Sequence, residues 1–137
     1  MSRSRERLDK LRQSVVQMTP AEAFAAQQRG ALIIDVRESH ERSDATAAGA
    51  QGISRGFLEL RIEAIQPDAD CEIILMCAGG SRSLFAADDL FKLGYARPCS
   101  VVGGSASTVR AGKASFKPLF LRIRAAQRHA AAPPDTP

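Results

Sequence analysis

An α/β domain, with a small and mostly parallel sheet covered by helices on both faces, is the fold class that this sequence predicts. Three apolar runs, at residues 31–36, 73–76 and 99–102, have the length and composition of strands buried on both faces. Helix-like segments stand between these runs, and alternating strands and helices are typical of a parallel sheet. The chain has 137 residues, which is the size of one domain with a substantial core.

Caps and helix breakers set the boundaries in the N-terminal half of the chain. Thr19 is a predicted N-cap, Pro20 follows at the first helical position, and Glu22 completes a capping box. Gly30 ends that helix, and Pro67 closes a later one. The predicted elements here are a helix at residues 5–13, an edge strand at 15–18, a helix from 20 to about 29, a strand at 31–36, a brief strand around Ile53 and a helix at 58–65.

Glycines mark the ends of the elements in the C-terminal half. Gly94 stands where a helix-ending glycine is expected, and Gly103 with Gly104 ends the last strand. After Lys113 the periodic pattern weakens. The predicted elements here are a strand at residues 73–76, a helix at 84–93, a strand at 99–102, a helix at 116–127 and a disordered tail at 130–137.

The loop between the central strand and the helix after it carries the chemistry. Glycines in this loop let backbone N–H groups turn toward one point, and the start of the helix adds partial positive charge there. Both effects favour the charged form of a cysteine thiol. The loop therefore predicts an anion-binding cradle with a nucleophile at its base. Its sequence is Cys77-Ala78-Gly79-Gly80-Ser81-Arg82-Ser83.

Each of these residues also has a purely structural interpretation. A buried cysteine such as Cys77 most often behaves as a small apolar residue, and Ser81 or Ser83 can cap the helix. Against this, two adjacent glycines exceed what a structural turn needs. The positive charge of Arg82 in the first helical turn is unfavourable beside the helix dipole, and an anion bound in the loop would offset it. The combination favours the functional interpretation.

Cysteine and histidine usage argues against a metal site and against disulfide bonds. The three cysteines, Cys71, Cys77 and Cys99, form no CxxC pair and have no pair of histidines with ligand spacing. A strand at residues 73–76 would hold Cys71 and Cys77 beyond bridging distance. We therefore expect no metal and no cofactor.

The net charge of +4 is carried mainly by two terminal segments, residues 3–12 and 113–128. Such runs are usually solvated helix faces. Trp is absent and Tyr95 stands alone, so no aromatic platform is present for stacking bases, and nucleic acid is not an expected partner. No apolar run is long enough to span a bilayer, and residues 1–12 lack the apolar core of a signal peptide. We expect no membrane partner and a cytoplasmic location, where thiols stay reduced.

The carboxyl ends of the predicted strands bring separate segments of the chain together. In parallel sheets, ligands bind at this edge. Cys77 follows one strand, Asp35 ends a second, and Gly103 ends a third. The three positions are therefore expected to converge at one rim.

Three charged residues at this predicted rim have structural interpretations as well. Asp35 is expected to cap the loop that follows it, and Arg37 to pair with Glu38 or Glu41. Arg55 is either a solvated loop residue or part of the rim that receives an anion.

Five segments of the chain resemble, in this order, the single-domain rhodaneses. The resemblance covers roughly residues 15–104. It implies a rhodanese-like domain at residues 15–118, preceded by a charged helix at 1–14 and followed by a helical segment and tail at 119–137. The segments are Asp35-Val36-Arg37-Glu38, then Gly49-Ala50 to Ile53 with Arg55-Gly56 and Glu59, then Cys77-x-x-Gly80-x-Arg82-Ser83 with Ala86-Ala87, then Leu93-Gly94-Tyr95, and last Val102-Gly103-Gly104.

The resemblance implies a sulfurtransferase. In that family the loop cysteine takes a sulfane sulfur from thiosulfate or a similar donor, forms a persulfide, and passes the sulfur to cyanide, a thiol or a protein. Cys77 would be the catalytic residue, Arg55 would bind the substrate at the rim, and Asp35 and Arg37 would support the site. The expected partners are a small anionic sulfur donor and a sulfur-acceptor protein, and no oligomeric state is assigned. The substrate-binding loop residues would be Ala78, Gly79, Gly80, Ser81, Arg82 and Ser83.

Two alternative functions remain open beside sulfur transfer as a free-standing enzyme. The first alternative is a sulfur relay or docking module with little activity of its own. A cysteine phosphatase or arsenate reductase is disfavoured, because those enzymes place five residues between cysteine and arginine, whereas four separate Cys77 from Arg82.

The sequence departs from the family pattern in two places. Many members have His-Ile-Pro where this chain has Thr46-Ala47-Ala48, and many carry aromatic residues where residues 105–108 of this chain are small and polar. Both departures bear on substrate preference.

Overall fold

A five-stranded parallel sheet organises the chain in the computed structural model, which describes residues 2–43 and 45–103. The elements are α1 (Arg3–Ser14), β1 (Val16–Met18), α2 (Pro20–Gln28), β2 (Leu32–Asp35), α3 (Ser39–Arg42), β3 (Gln51–Gly52), a 3-10 turn (Arg55–Phe57), α4 (Leu58–Ile65), β4 (Ile73–Met76), α5 (Ser81–Leu93) and β5 (Pro98–Val101). The strand order is β1-β5-β4-β2-β3, and every neighbouring pair is parallel. The predicted α/β fold is confirmed.

Local signals account for several of the observed boundaries. Thr19 Oγ1 accepts the Glu22 N–H at 3.1 Å, and the Glu22 carboxylate accepts the Thr19 N–H at 3.0 Å, so the predicted capping box is confirmed. Gly94, with φ of 111°, ends α5 in the left-handed conformation that glycine adopts without strain. These contacts are local, which is why the sequence alone predicts them.

Three other boundaries differ from the predictions. The strand expected around Ile53 lies at Gln51–Gly52 instead, because its register against Ile34 and Asp35 sets it. The short helix α3 was not predicted, and α5 begins three residues before the expected Leu84. The predicted helix at residues 116–127, the tail at 130–137, Gly104 and the polar residues 105–108 lie outside the described residues.

Both faces of the sheet are covered, as a parallel sheet requires. Ala23 and Ala26 of α2 pack on one face, and α4 and α5 pack on the other with Leu58, Ile62 and Leu90. Helix α1 lies against α5, where Leu11 is buried and Arg7 Nη2 donates to Asp88 Oδ2 at 2.6 Å. None of the helices within the described ranges has the length and apolar character needed to cross a membrane.

Candidate active site

The carboxyl ends of β2, β4 and β5 meet at one rim, as predicted. The Val36 N–H donates to the Met76 carbonyl at 2.9 Å, so Cys77 emerges from the sheet beside Val36. The loop after Cys77 then packs against the end of β5. A Cβ atom added to Gly80 would lie 3.2 Å from the Gly103 nitrogen, and Gly80 has φ of 94°, so both space and backbone conformation favour glycine there.

The Cys77 sulfur takes the place of a helix cap. Gly80 is the N-cap residue of α5 and has no side chain to accept the unpaired N–H groups of the first turn. Cys77 Sγ accepts instead, from the Gly80 N–H at 3.1 Å and from the Ser83 N–H at 3.4 Å. Neither Ser81 nor Ser83, the capping candidates of the structural interpretation, is the cap of this helix. The helix begins before Leu84 because the sulfur satisfies donors that would otherwise need a serine oxygen.

Cys77 lies at the bottom of a nearly closed loop. Its residue exposure is 1%, whereas Gly79 and Ser81 are exposed and Ala78 is half-buried. The predicted cradle residues are thus brought together, with two of them, Gly80 and Ser83, donating to the sulfur from the described part of the chain. The loop leaves the sulfur facing backbone donors at a helix N-terminus, a setting that favours negative charge.

Two buried serine hydroxyls continue the contacts of the sulfur into the core. Cys77 Sγ lies 3.5 Å from Ser83 Oγ, and Ser83 Oγ lies 2.7 Å from Ser100 Oγ on β5. Ser83 is fully buried, and Ser100 is 1% exposed. Burial of hydroxyl groups without a partner is unfavourable, so each depends on this pairing.

Arg82 is held by a carboxylate of the protein. Its Nη1 and Nη2 atoms donate to the two carboxylate oxygens of Glu41, on α3, at 2.7 and 2.9 Å. The hydrogen bond to Glu41 raises the pKa of Arg82, burial of the guanidinium partly opposes this rise, and the negative charge of Glu41 adds to it. The anion that offsets Arg82 at the helix N-terminus in this structure is therefore Glu41.

The Glu41–Arg82 pair predicts an acid-dependent loss of stability. The hydrogen bond from Arg82 lowers the pKa of Glu41 from 4.5 to about 2. Between these values the unfolded chain binds a proton that the folded chain does not, so the contribution of Glu41 is present above pH 4.5 and is lost as pH falls toward 2. Urea unfolding at about pH 6 and about pH 3 should therefore show a larger loss of stability for wild type than for Glu41→Gln.

The matched control for this measurement is Glu63→Gln, because Glu63 is an exposed glutamate on α4. That variant should lose as much stability as wild type over the same pH range. An equal acid sensitivity of Glu41→Gln and wild type would contradict the assigned role of the pair.

Asp35 and Arg37 form a buried network beside the loop. Arg37 Nε and Nη2 donate to Asp35 at 3.0 and 2.7 Å, and the Arg37 backbone N–H donates to Asp35 Oδ1 at 3.1 Å, as expected of a loop cap. Thr46 Oγ1 donates to Asp35 Oδ2 at 2.6 Å. The structure places Arg37 on Asp35 rather than on Glu38 or Glu41, because the short backbone turn between residues 35 and 37 brings the two side chains together.

Arg55 lies at the same rim, two strands from the sulfur. Its backbone N–H donates to the Val36 carbonyl at 3.1 Å. Its guanidinium carbon lies 5.0 Å from the centre of the Phe85 ring, and Nη2 lies 3.9 Å from Asp89 Oδ2. The side chain is 42% exposed, and within residues 2–43 and 45–103 its buried Nε has no hydrogen-bond partner. Of the two arginines predicted to bind substrate, Arg55 has the looser contact with a carboxylate.

Glu41, Phe85 and Ser100 are site residues that the sequence argument missed. Glu41 shortly follows a strand end, where rim residues are expected, but its partner Arg82 is 41 residues away along the chain. Ser100 leaves a signal, because it is a polar residue inside an apolar strand. Within the described ranges, no group of His, Cys, Asp and Glu side chains has the arrangement of a metal site.

Comparison with known proteins identifies a family model, a similar sequence and a similar solved structure. The model of the rhodanese-like domain family matches residues 19–111. Thiosulfate sulfurtransferase GlpE of Haemophilus influenzae is 30% identical over 92 residues, which cover 66% of this chain and 85% of that protein. A Rhodopseudomonas palustris protein of unknown function, described as a possible tyrosine phosphatase, superposes with a TM-score of 0.73 and 28% identity over 82% of this chain and 92% of that one.

The fold is also shared with a more distant protein. The polysulfide-sulfur transferase homodimer of Wolinella succinogenes superposes with a TM-score of 0.69 at 20% identity, over 78% of this chain and 82% of that one. The family match spans more than half of the chain and contains Cys77, its loop and the rim residues Asp35, Arg37 and Arg55. Sequence, fold and site agree: the chain belongs to the rhodanese-like domain family.

Proposed function

We propose that this protein transfers one sulfane sulfur from thiosulfate, or a similar small anionic donor, to a thiophilic acceptor through a persulfide on Cys77. The observation that carries the proposal is the convergence of the Gly80 and Ser83 N–H groups on a buried sulfur at a helix N-terminus. These donors favour the thiolate, which is the nucleophilic form of cysteine. They also lie where the negative charge of a persulfide would develop.

The transfer has two steps. The Cys77 thiolate attacks the outer sulfur of thiosulfate, a sulfur–sulfur bond to Cys77 forms, and the bond within thiosulfate breaks, so that sulfite leaves with the electron pair. A nucleophile such as cyanide then attacks the outer persulfide sulfur, and the thiolate is regenerated. This is covalent catalysis that replaces one difficult step by two easier ones. No proton needs to move at the sulfur if Cys77 enters the cycle ionised.

The closed shape of the loop supports transfer of a single atom. Cys77 is 1% exposed, and four residues separate it from Arg82. A phosphatase needs a wider loop to enclose a tetrahedral phosphoryl group. The Rhodopseudomonas palustris neighbour is described as a possible tyrosine phosphatase, so hydrolysis of an aryl phosphate is the appropriate comparison assay, and we expect none.

The direct test is an assay with thiosulfate and cyanide, in which thiocyanate is the product. Turnover that depends on Cys77 would support the proposal, and hydrolysis of the aryl phosphate without thiocyanate formation would overturn it. A persulfide that forms from thiosulfate but moves only to a protein thiol would identify the acceptor as a protein. That last result would make the domain a sulfur relay.

Arg55 supplies the positive charge for the donor in this proposal. Both terminal nitrogens of Arg82 donate to the one carboxylate of Glu41, so the charge of Arg82 is largely offset. Arg55 is 42% exposed and 3.9 Å from its carboxylate, which leaves N–H groups of its guanidinium accessible to an anion. Stacking on Phe85 holds the guanidinium at the rim.

Arg55→Gln is therefore expected to raise the KM for thiosulfate about tenfold while kcat changes less than about threefold, because a charge-assisted contact to the anion is lost. Steady-state kinetics over a range of thiosulfate concentrations measures both values. The matched control is Arg97→Gln. Arg97 directly precedes β5 and therefore lies at the amino ends of the parallel strands, opposite the rim. Its Nη2 atom is 3.9 Å from Glu72 Oε2, the same separation that Arg55 has from its carboxylate. Equal changes in the two variants would contradict a specific role for Arg55.

A further inference from the structure

A buried serine hydroxyl on β5 has no role in the chemistry described so far. Ser100 is 1% exposed in a strand whose neighbours Cys99 and Val101 face the α2 side of the sheet. Because side chains alternate along a strand, Ser100 faces α5. Its hydroxyl lies 2.7 Å from Ser83 Oγ, and Ser83 Oγ is its one hydrogen-bond partner within residues 2–43 and 45–103.

Hydrogen bonds link the side chains of Cys77, Ser83 and Ser100 in a row, and the direction of donation along this row depends on the charge of the sulfur. Each hydroxyl has one hydrogen to donate and can accept from another donor. When Cys77 carries a thiol, its hydrogen points to Ser83 Oγ at 3.5 Å, and Ser83 donates onward to Ser100. When the sulfur is anionic, Ser83 turns its hydrogen to the sulfur. Its oxygen is then free to accept a hydrogen from Ser100.

We propose that Ser100 is a positioning residue for sulfur transfer: its hydroxyl donates to Ser83 Oγ and so holds the Ser83 hydrogen toward the anionic Cys77 sulfur. The inference rests on the proposed role of Cys77 as the nucleophile. Ser100 does not touch the sulfur and acts through Ser83. Hydrogen bonds linked in this way strengthen one another, so the donation from Ser83 is stronger when Ser100 donates to it.

The proposal can be tested with variants that leave every charged side chain around the loop in place. Arg82 acts on Cys77 from α5 and is paired with Glu41 of α3, and Arg37 is paired with Asp35 at the end of β2. None of these four residues is substituted. A change in the reactivity of the Cys77 thiol therefore reports on the hydroxyl groups of Ser83 and Ser100.

The experiment measures alkylation of Cys77 by iodoacetamide as a function of pH, followed on the Cys77 peptide by mass spectrometry. This readout does not require sulfur transfer, so its failure and the failure of the proposed function are distinguishable. Ser100→Ala should raise the pH of half-maximal alkylation by roughly 0.5 to 1 unit, because one donation to the anion is weakened. Cys99→Ala, the neighbouring buried position on the other face, should leave the profile unchanged.

A double-variant comparison separates action through Ser83 from a general effect. Ser83→Ala combined with Ser100→Ala should shift the profile no further than Ser83→Ala alone. Additive shifts, or a wild-type profile for Ser100→Ala, would overturn the proposal. If Ser100→Ala fails to fold, Ser100→Thr and Ser100→Val serve as a pair of equal size that differ in the hydroxyl. A profile shift in valine but not in threonine supports the proposal, and equal profiles contradict it.

Discussion

Cys77→Ser is expected to lower sulfur transfer from thiosulfate to cyanide at least about 1,000-fold, because a serine hydroxyl stays protonated where a thiolate is the nucleophile. The fold should survive the change. A serine oxygen can accept the Gly80 and Ser83 N–H groups as the sulfur does. We expect the free energy of unfolding, measured in urea, to change by less than about 1 kcal/mol.

The control for this variant is Cys71→Ser. Cys71 is half-buried and accepts from Gln66 Nε2 at 3.2 Å, away from the loop. Thiocyanate production should stay near the wild-type rate. A Cys77→Ser protein that kept more than about a tenth of wild-type turnover would show that another group is the nucleophile.

Asp35→Ala is expected to have the largest effect on stability, about 3–5 kcal/mol. The Asp35 carboxylate is fully buried and accepts hydrogen bonds from Arg37 and from Thr46. Its removal leaves the Arg37 guanidinium, 9% exposed, without this counter-charge in the core. Equilibrium unfolding in urea measures the loss. The rim beside Cys77 should loosen with it, because Asp35 also fixes the backbone at Arg37.

Thr46→Val provides the graded comparison for Asp35→Ala. It removes one neutral donor to the same carboxylate while keeping the shape of the side chain, so a smaller loss of about 1–3 kcal/mol is expected. Similar losses for the two variants would mean that the Thr46–Asp35 hydrogen bond, rather than the Asp35–Arg37 ion pair, dominates the network.

Local chemistry explains which parts of the fold were predictable. The capping box of Thr19 and Glu22 and the glycine after α5 involve residues a few positions apart, so the pattern alone indicates them. The two-residue strand Gln51–Gly52 has no such pattern, because its pairing with β2 creates it. Helix α5 begins early because a sulfur before the loop caps it, and capping rules based on oxygen do not anticipate this.

The candidate site divides in the same way. Cys77, Gly80 and Ser83 could be predicted because they lie within one short loop whose glycines and helix start suggest an anion cradle. Contacts between residues distant in sequence could not, and Glu41 therefore appears only in the structure as the partner of Arg82. The pairing of Ser83 with Ser100 joins a helix to a strand 17 residues later and depends on the packing of α5 on the sheet.

Intact mass after incubation with thiosulfate alone shows whether a persulfide forms on Cys77. We expect a gain of about 32 Da for one added sulfur, located on the Cys77 peptide and absent from Cys77→Ser. A gain that persists in Cys77→Ser, or an added sulfur located on Cys71 or Cys99, would show that Cys77 does not carry the transferred sulfur.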